Sequence, residues 1–170
     1  MANEVYTRTN QALFFATKAT SAWREAQDSP ALDARTQTLY HREHALFHLY
    51  RTVLAIIHEV ADRYRWPLLE LRSVEHALDG EAVKRFPGPE LAELSELARE
   101  NDTWLSRMLA GWSALNEPPV PVSAKLQDAS LIASSAAADD RPEWAIADAD
   151  EAVSALKELV SRYRDGMVEY

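Results

Sequence analysis

The chain has 170 residues, 26% of them charged and 47% hydrophobic, which is the balance of an ordinary folded domain and not of a disordered or fibrous chain. Its 27 acidic and 18 basic side chains leave a formal charge of -9, which repels a phosphate backbone and argues against nucleic acid as a partner. The chain has no cysteine, so disulfides, thiolate zinc sites, iron–sulfur clusters and cysteine nucleophiles are excluded.

The first residues, Met1-Ala2-Asn3-Glu4, lack a basic stretch leading into an apolar one. No apolar run approaches the roughly 20 residues of a membrane span; the best, Val53 to Ile57, lies between Arg51 and His58. The expectation is a cytoplasmic, non-membrane chain forming a single helical domain over 1–170.

Hydrophobic spacing predicts a first amphipathic helix over about 4–28, where Val5, Ala12, Ala16, Ala19 and Trp23 share one sector and Asp28-Ser29-Pro30 stops it. A second helix, about 33–65, carries Leu39, Leu46, Leu49, Val53, Ile56, Ile57, Val60 and Tyr64 at three- and four-residue steps and ends before Trp66-Pro67. Leu68 to Leu78 reads as a shorter helix ended by Asp79-Gly80. A third long helix, about 89–115, starts at Pro89 and is striped by Leu91, Leu94, Leu97, Ala98, Leu105, Met108, Leu109 and Trp112.

The prolines of Asn116 to Val122 predict an extended arm, and Lys125 to Ala138, rich in Ala and Ser, is either a short helix or a loop against the bundle. The last helix, about 141–166, is striped by Ile146, Ala149, Val153, Leu156, Val160, Tyr163 and Met167. With no alternating strand pattern and no hairpin signal, the fold class is all-α. The expected architecture resembles a four-helix bundle, with one or two short accessory helices and a proline-rich crossing arm.

Four of the five histidines, His41, His44, His48 and His58, lie on the second helix with Glu43, Glu59 and Asp62. At ~100° per residue, His41, His44, His48, Glu59 and Asp62 share one stripe roughly opposite the apolar one. The first reading of that stripe is a solvated or salt-bridged face. Its rival is a metal site with His41, His44 and His48 as ligands, since three- and four-residue steps let two imidazoles reach one cation. Asn101 sits within the stripe of the third helix and is read as a buried amide that must find partners, fixing helix register. The arginines Arg35, Arg42, Arg51, Arg63, Arg65 and Arg72 suit an anion or an acidic partner, but pairing with the chain's own carboxylates is the first expectation.

No phosphate loop, nucleophile elbow, dinucleotide fingerprint or calcium loop is present, so no cofactor and no catalytic residue is expected. The segment Tyr6-Thr7-Arg8-Thr9-Asn10-Gln11, followed by Phe14-Phe15-Ala16 and Ala22-Trp23, resembles the start of short uncharacterised helical proteins of proteobacteria. That resemblance implies neither an activity nor a site residue.

The functional expectation is a non-catalytic interaction or accessory protein acting through its surface or through self-association. The alternative is a small metal-dependent enzyme using the histidine stripe. A homodimer or another protein partner is expected because the second helix is longer than its neighbours. It leaves Leu39 and Tyr40 at one end, and Val60, Tyr64 and Trp66 at the other, in need of cover, either from the chain's own Val120 to Ala138, long enough for one end but hardly both, or from the same helix of a second subunit.

Overall fold

The computed structural model describes residues 2–118 and 143–168. Among them are seven helices and no strand. Helix α1 (Ala2–Gln27) and helix α2 (Ala34–Tyr64) form an antiparallel pair. Their facing surfaces are narrow on the α1 side, where Ala12, Ala16 and Ala19 are all buried and let the backbones approach. Within the pair the Thr9 hydroxyl donates to the Ala55 carbonyl at 3.3 Å. Helix α2 ends where Arg65 turns left-handed at φ 56°, with the Trp66 amide donating to the Ala61 carbonyl at 2.8 Å. This is the break that Trp66-Pro67 announces.

The stretch after that break departs from expectation. Only Val74–Ala77 (α3) is helical within Leu68 to Leu78, and Asp79-Gly80 opens a helix, α4 (Gly80–Arg85), where a stop was expected. The Asp79 carboxylate accepts from the Glu81 and Ala82 amides at 2.9 and 2.7 Å, satisfying two of the donors that a helix start leaves without partners. Tyr50 hangs α3 on α2: its hydroxyl accepts from the Val74 amide at 2.9 Å and donates to Glu75 at 2.7 Å.

The long helix expected over 89–115 is two helices, α5 (Pro89–Arg99) and α6 (Trp104–Leu115). Asp102 adopts φ 64°, which cannot continue a helix, and the Thr103 hydroxyl caps the next one by accepting from the Ser106 amide at 3.1 Å. Asn101 therefore lies exposed in the turn. It is not a buried amide setting register, because the polar Asn-Asp-Thr run takes the turn that the leucine stripe on either side concealed.

The crossing arm beyond Pro118 and the segment Lys125 to Ala138 lie outside the described residues. Helix α7 (Ile146–Val168) starts after Glu143–Ala145, which are not helical, and so later than the expected position near 141. The buried Trp144 in this approach packs against Gly111 of α6, where an added Cβ would lie 3.3 Å from the Trp144 Cβ.

The core joins Trp23 of α1, Leu46, Leu49, Val53 and Ile57 of α2, Leu91 and Leu94 of α5, Leu105 and Met108 of α6, and Leu156 of α7. Around it, α7 is held by ions at both ends. Arg24 pairs with Asp150, Arg107 with Asp148 and Glu151, and Arg162 with Glu93. Arg164 grips Glu59 by two bonds, Nε–Oε1 at 2.7 Å and Nη2–Oε2 at 2.9 Å, while its Nη1 donates to Asn10 at 2.9 Å. Its guanidinium carbon also lies 3.7 Å from the centre of the Tyr6 ring.

Candidate functional site

The histidine stripe divides: His41 and His44 are half-buried, Glu59 is salt-bridged to Arg164, and His48 alone is enclosed. His48 is only 8% exposed, closed in by the rings of Phe15 at 5.3 Å on α1 and Phe47 at 5.2 Å on its own helix. A helical wheel places His48 opposite the leucines. In the fold, however, α1 lies along α2 on that very side, so α2 is buried around most of its circumference at mid-length. Nor do these histidines enter salt bridges among the described residues; their neighbours are aromatic rings.

His44 and His48 do come together. Their Nε2 atoms are 2.9 Å apart, so one ring donates and the other accepts. Burial lowers the pKa of His48 below the ordinary histidine value, and the nearby His44 and Arg51 push it the same way. His41 does not join the pair: it lies edge-on to Tyr40 at 5.0 Å. Among the described residues no group of three or more histidines, aspartates or glutamates converges on a point where a metal ion could be held. The fourth histidine of the stretch, His58, turns elsewhere, its Nε2 bonded to the Leu71 carbonyl at 2.9 Å.

What the stripe belongs to is an aromatic surface. From Phe14 and Phe15 on α1 it runs across His48 and Phe47 to Trp112 on α6, and along α2 from His48 through His44 to Tyr40. Phe14 is 56% exposed, Tyr40 59% and Phe47 43%, and Leu39 beside Tyr40 is likewise exposed. Cations border it: Lys18 stands 5.6 Å over the Phe14 ring and Arg51 5.6 Å over Phe47. Exposed rings edged by charge form the composition of a protein contact surface, in which aromatic side chains fill the centre and polar ones the rim.

The opposite end of α2 is partly covered. Val60 is buried, and Tyr64 stacks on Trp66 at 4.6 Å, which in turn packs against Phe86 after α4. Of the two ends expected to need cover, the described residues bury Val60 at one, where Tyr64 stays 41% exposed, and leave Leu39 and Tyr40 exposed at the other. Sequence reasoning missed Phe14, Phe15 and Phe47 as members of this surface. The signal was available in the Phe14-Phe15 pair, since adjacent large rings on a helix cannot both face one core.

No helix of the described residues is long and apolar enough to cross a membrane. The chain matches no curated protein and no solved structure. A family model does match it over residues 1–170, and the chain belongs to that family, a family of unknown function, DUF6586.

Proposed function

We propose that this protein is a non-catalytic interaction protein that works as a homodimer, two copies meeting through the aromatic surface of α1 and α2. The observation carrying this reading is the exposure of Phe14 on α1 and of Leu39, Tyr40 and Phe47 on the N-terminal half of α2. A second copy suits the surface. A long helix crossing its own twin about a two-fold axis buries Leu39 and Tyr40 of each copy at once. The net charge of -9 supports a partner that is neither nucleic acid nor an anionic lipid surface, in keeping with a cytoplasmic protein.

Light scattering of the purified protein across the micromolar range tests the proposal. The expected mass is twice 19.2 kDa. The double variant Phe14→Ser, Tyr40→Ser is expected to give the single-chain mass with unchanged helical circular dichroism, since both rings are more than half exposed. A wild-type mass of 19.2 kDa throughout that range refutes the proposal.

A further inference from the structure

A second feature lies farther along the α1–α2 pair. One side of the groove between the N-terminal half of α1 and the C-terminal half of α2 is open, and the loop before α3 closes its end. The cavity measures about 620 Å³, within the roughly 300–1,000 Å³ of clefts that hold small molecules. Val5, Ala12, Leu54, Ala55 and Leu69 supply apolar wall. Three arginines from three different elements line it, Arg8 of α1, Arg51 of α2 and Arg72 of the loop, together with His58.

The state of these cations points to a ligand. In a chain with nine more acidic than basic groups, arginines are expected to find carboxylates. Neither Arg8 nor Arg51 forms an ion pair among the described residues; Arg51 lies only over the Phe47 ring. Arg72 is held in place from behind: its Nη1 donates to the Leu69 and Leu71 carbonyls at 2.8 and 2.9 Å, and its Nη2 stands 3.7 Å from Glu70, too far for a hydrogen bond. The Leu71 carbonyl also accepts from His58, so one backbone oxygen ties the imidazole and the guanidinium together at the end of the groove. Glu4 and Asp62 line the same cavity. They offset two of the three lining arginines, and Glu70 stands beside Arg72 from outside the lining, so the small net charge fits a ligand of low charge.

We propose that this groove binds a small organic anion, a single oxyanion head, carboxylate or phosphate monoester, carried on an apolar body. The head sits among Arg8, Arg51 and Arg72, whose planar guanidinium groups match an oxyanion in pairs of bonds. The body lies along Val5, Leu54 and Leu69. A bound anion raises the pKa of the neighbouring His58, which burial holds low in the free protein, with the Leu71 carbonyl raising it in part and Arg72 and Arg8 lowering it further. His58 is thus a built-in reporter.

The test is an NMR titration of the full chain, following the His58 imidazole resonances with octanoate, octyl phosphate, octylammonium and inorganic phosphate as separate probes. Saturable shifts and a raised His58 pKa with octanoate or octyl phosphate are expected, and which of the two binds tighter identifies the head group. Absence of saturable shifts with both at up to ~10 mM overturns the proposal. So does equal binding of octylammonium, which removes the charge argument, or inorganic phosphate binding as tightly as octyl phosphate, which removes the apolar one. Arg8→Gln and Arg51→Gln are each expected to weaken binding about tenfold, the size of one charge-assisted contact, and Glu4→Gln to tighten it by roughly two- to fivefold. Unaltered affinity in both arginine variants, each folded by circular dichroism, refutes the assignment.

Discussion

The clamp of Arg164 on Glu59 is the interaction whose removal the fold should feel most sharply for its size. The two side chains are only 20% and 14% exposed, so water replaces little of what either loses. Arg164→Met keeps the aliphatic stem but removes both bonds to Glu59, the bond to Asn10 and the cation over Tyr6. Breaking a buried pair from one side costs about 3–5 kcal/mol, because the remaining charge stays desolvated. The residual water access here brings the expectation to about 2–4 kcal/mol. Urea unfolding followed by circular dichroism measures it, and the midpoint should fall without a change in slope. Glu59→Gln in the Arg164→Met background should recover part of the loss, since it removes the stranded charge, leaving a coupling of at least ~1 kcal/mol in the double-mutant cycle. Arg164→Lys should still cost about 1 kcal/mol or more, because an ammonium cannot make the paired bonds or stack on Tyr6. A loss below ~0.5 kcal/mol for Arg164→Met, or strict additivity with Glu59→Gln, refutes the reasoning.

Acid should weaken the fold from just below neutrality. Burial lowers the pKa of His48 and of His58, so the unfolded chain, with histidines near 6.5, takes up protons first and stability falls as pH drops below about 6.5. Urea midpoints at pH 7.5 and 5.5 measure the loss, and His48→Gln should reduce the pH dependence; an unchanged dependence sinks the assignment to His48. At lower pH a second loss follows as Glu93 is protonated, because its bond to Arg162 holds its carboxyl below the ordinary range, and Glu93→Gln should remove that step. Gly88→Ala should cost about 1–3 kcal/mol in thermal unfolding, since the new Cβ would meet the Trp66 ring at 2.6 Å, and a neutral result would show that the Tyr64–Trp66 stack yields freely. Thr103→Ala should cost about 1 kcal/mol by uncapping α6, and a Thr103→Ser chain should keep most of it.

The long helices could be read from spacing because each buries one stripe: the predicted ends near 28, 33 and 65 fall within one residue of those of α1 and α2. Two kinds of feature escaped. Local polar signals next to strong stripes were ambiguous: Asp79-Gly80 reads equally as a stop and as a cap, and Asn101 to Thr103 looked like polar residues passing through a continuous helix. The surroundings of His48 escaped for another reason. A wheel reports which residues of one helix share a side, but not how many neighbours press on that helix, and α2 has neighbours on nearly every side. The groove arginines were visible singly, yet Arg8, Arg51 and Arg72 lie far apart in the chain, and only the antiparallel crossing of α1 and α2 brings them to one cavity.

The ionic contacts along α7 matter for more than adhesion. Its buried face consists of Ala149, Ala152, Leu156, Leu159, Val160 and Tyr163, with Val153 beside them. A slide of one turn would carry position 149 onto 153, 152 onto 156, 156 onto 160 and 159 onto 163, apolar onto apolar, and only 153 onto Lys157 and 160 onto Arg164 set packing against it. Charge does not tolerate the same slide. Four residues beyond Asp148, Asp150 and Glu151 stand Ala152, Ser154 and Ala155, and four beyond Arg162 and Arg164 stand Gly166 and Val168. Every arginine and carboxylate on the neighbouring helices would lose its counterpart together. Exposed pairs such as Arg24 with Asp150 add little to stability one by one, but as a set they act as a vernier, reinforcing the alignment that Val153 and Val160 alone of the greasy side select.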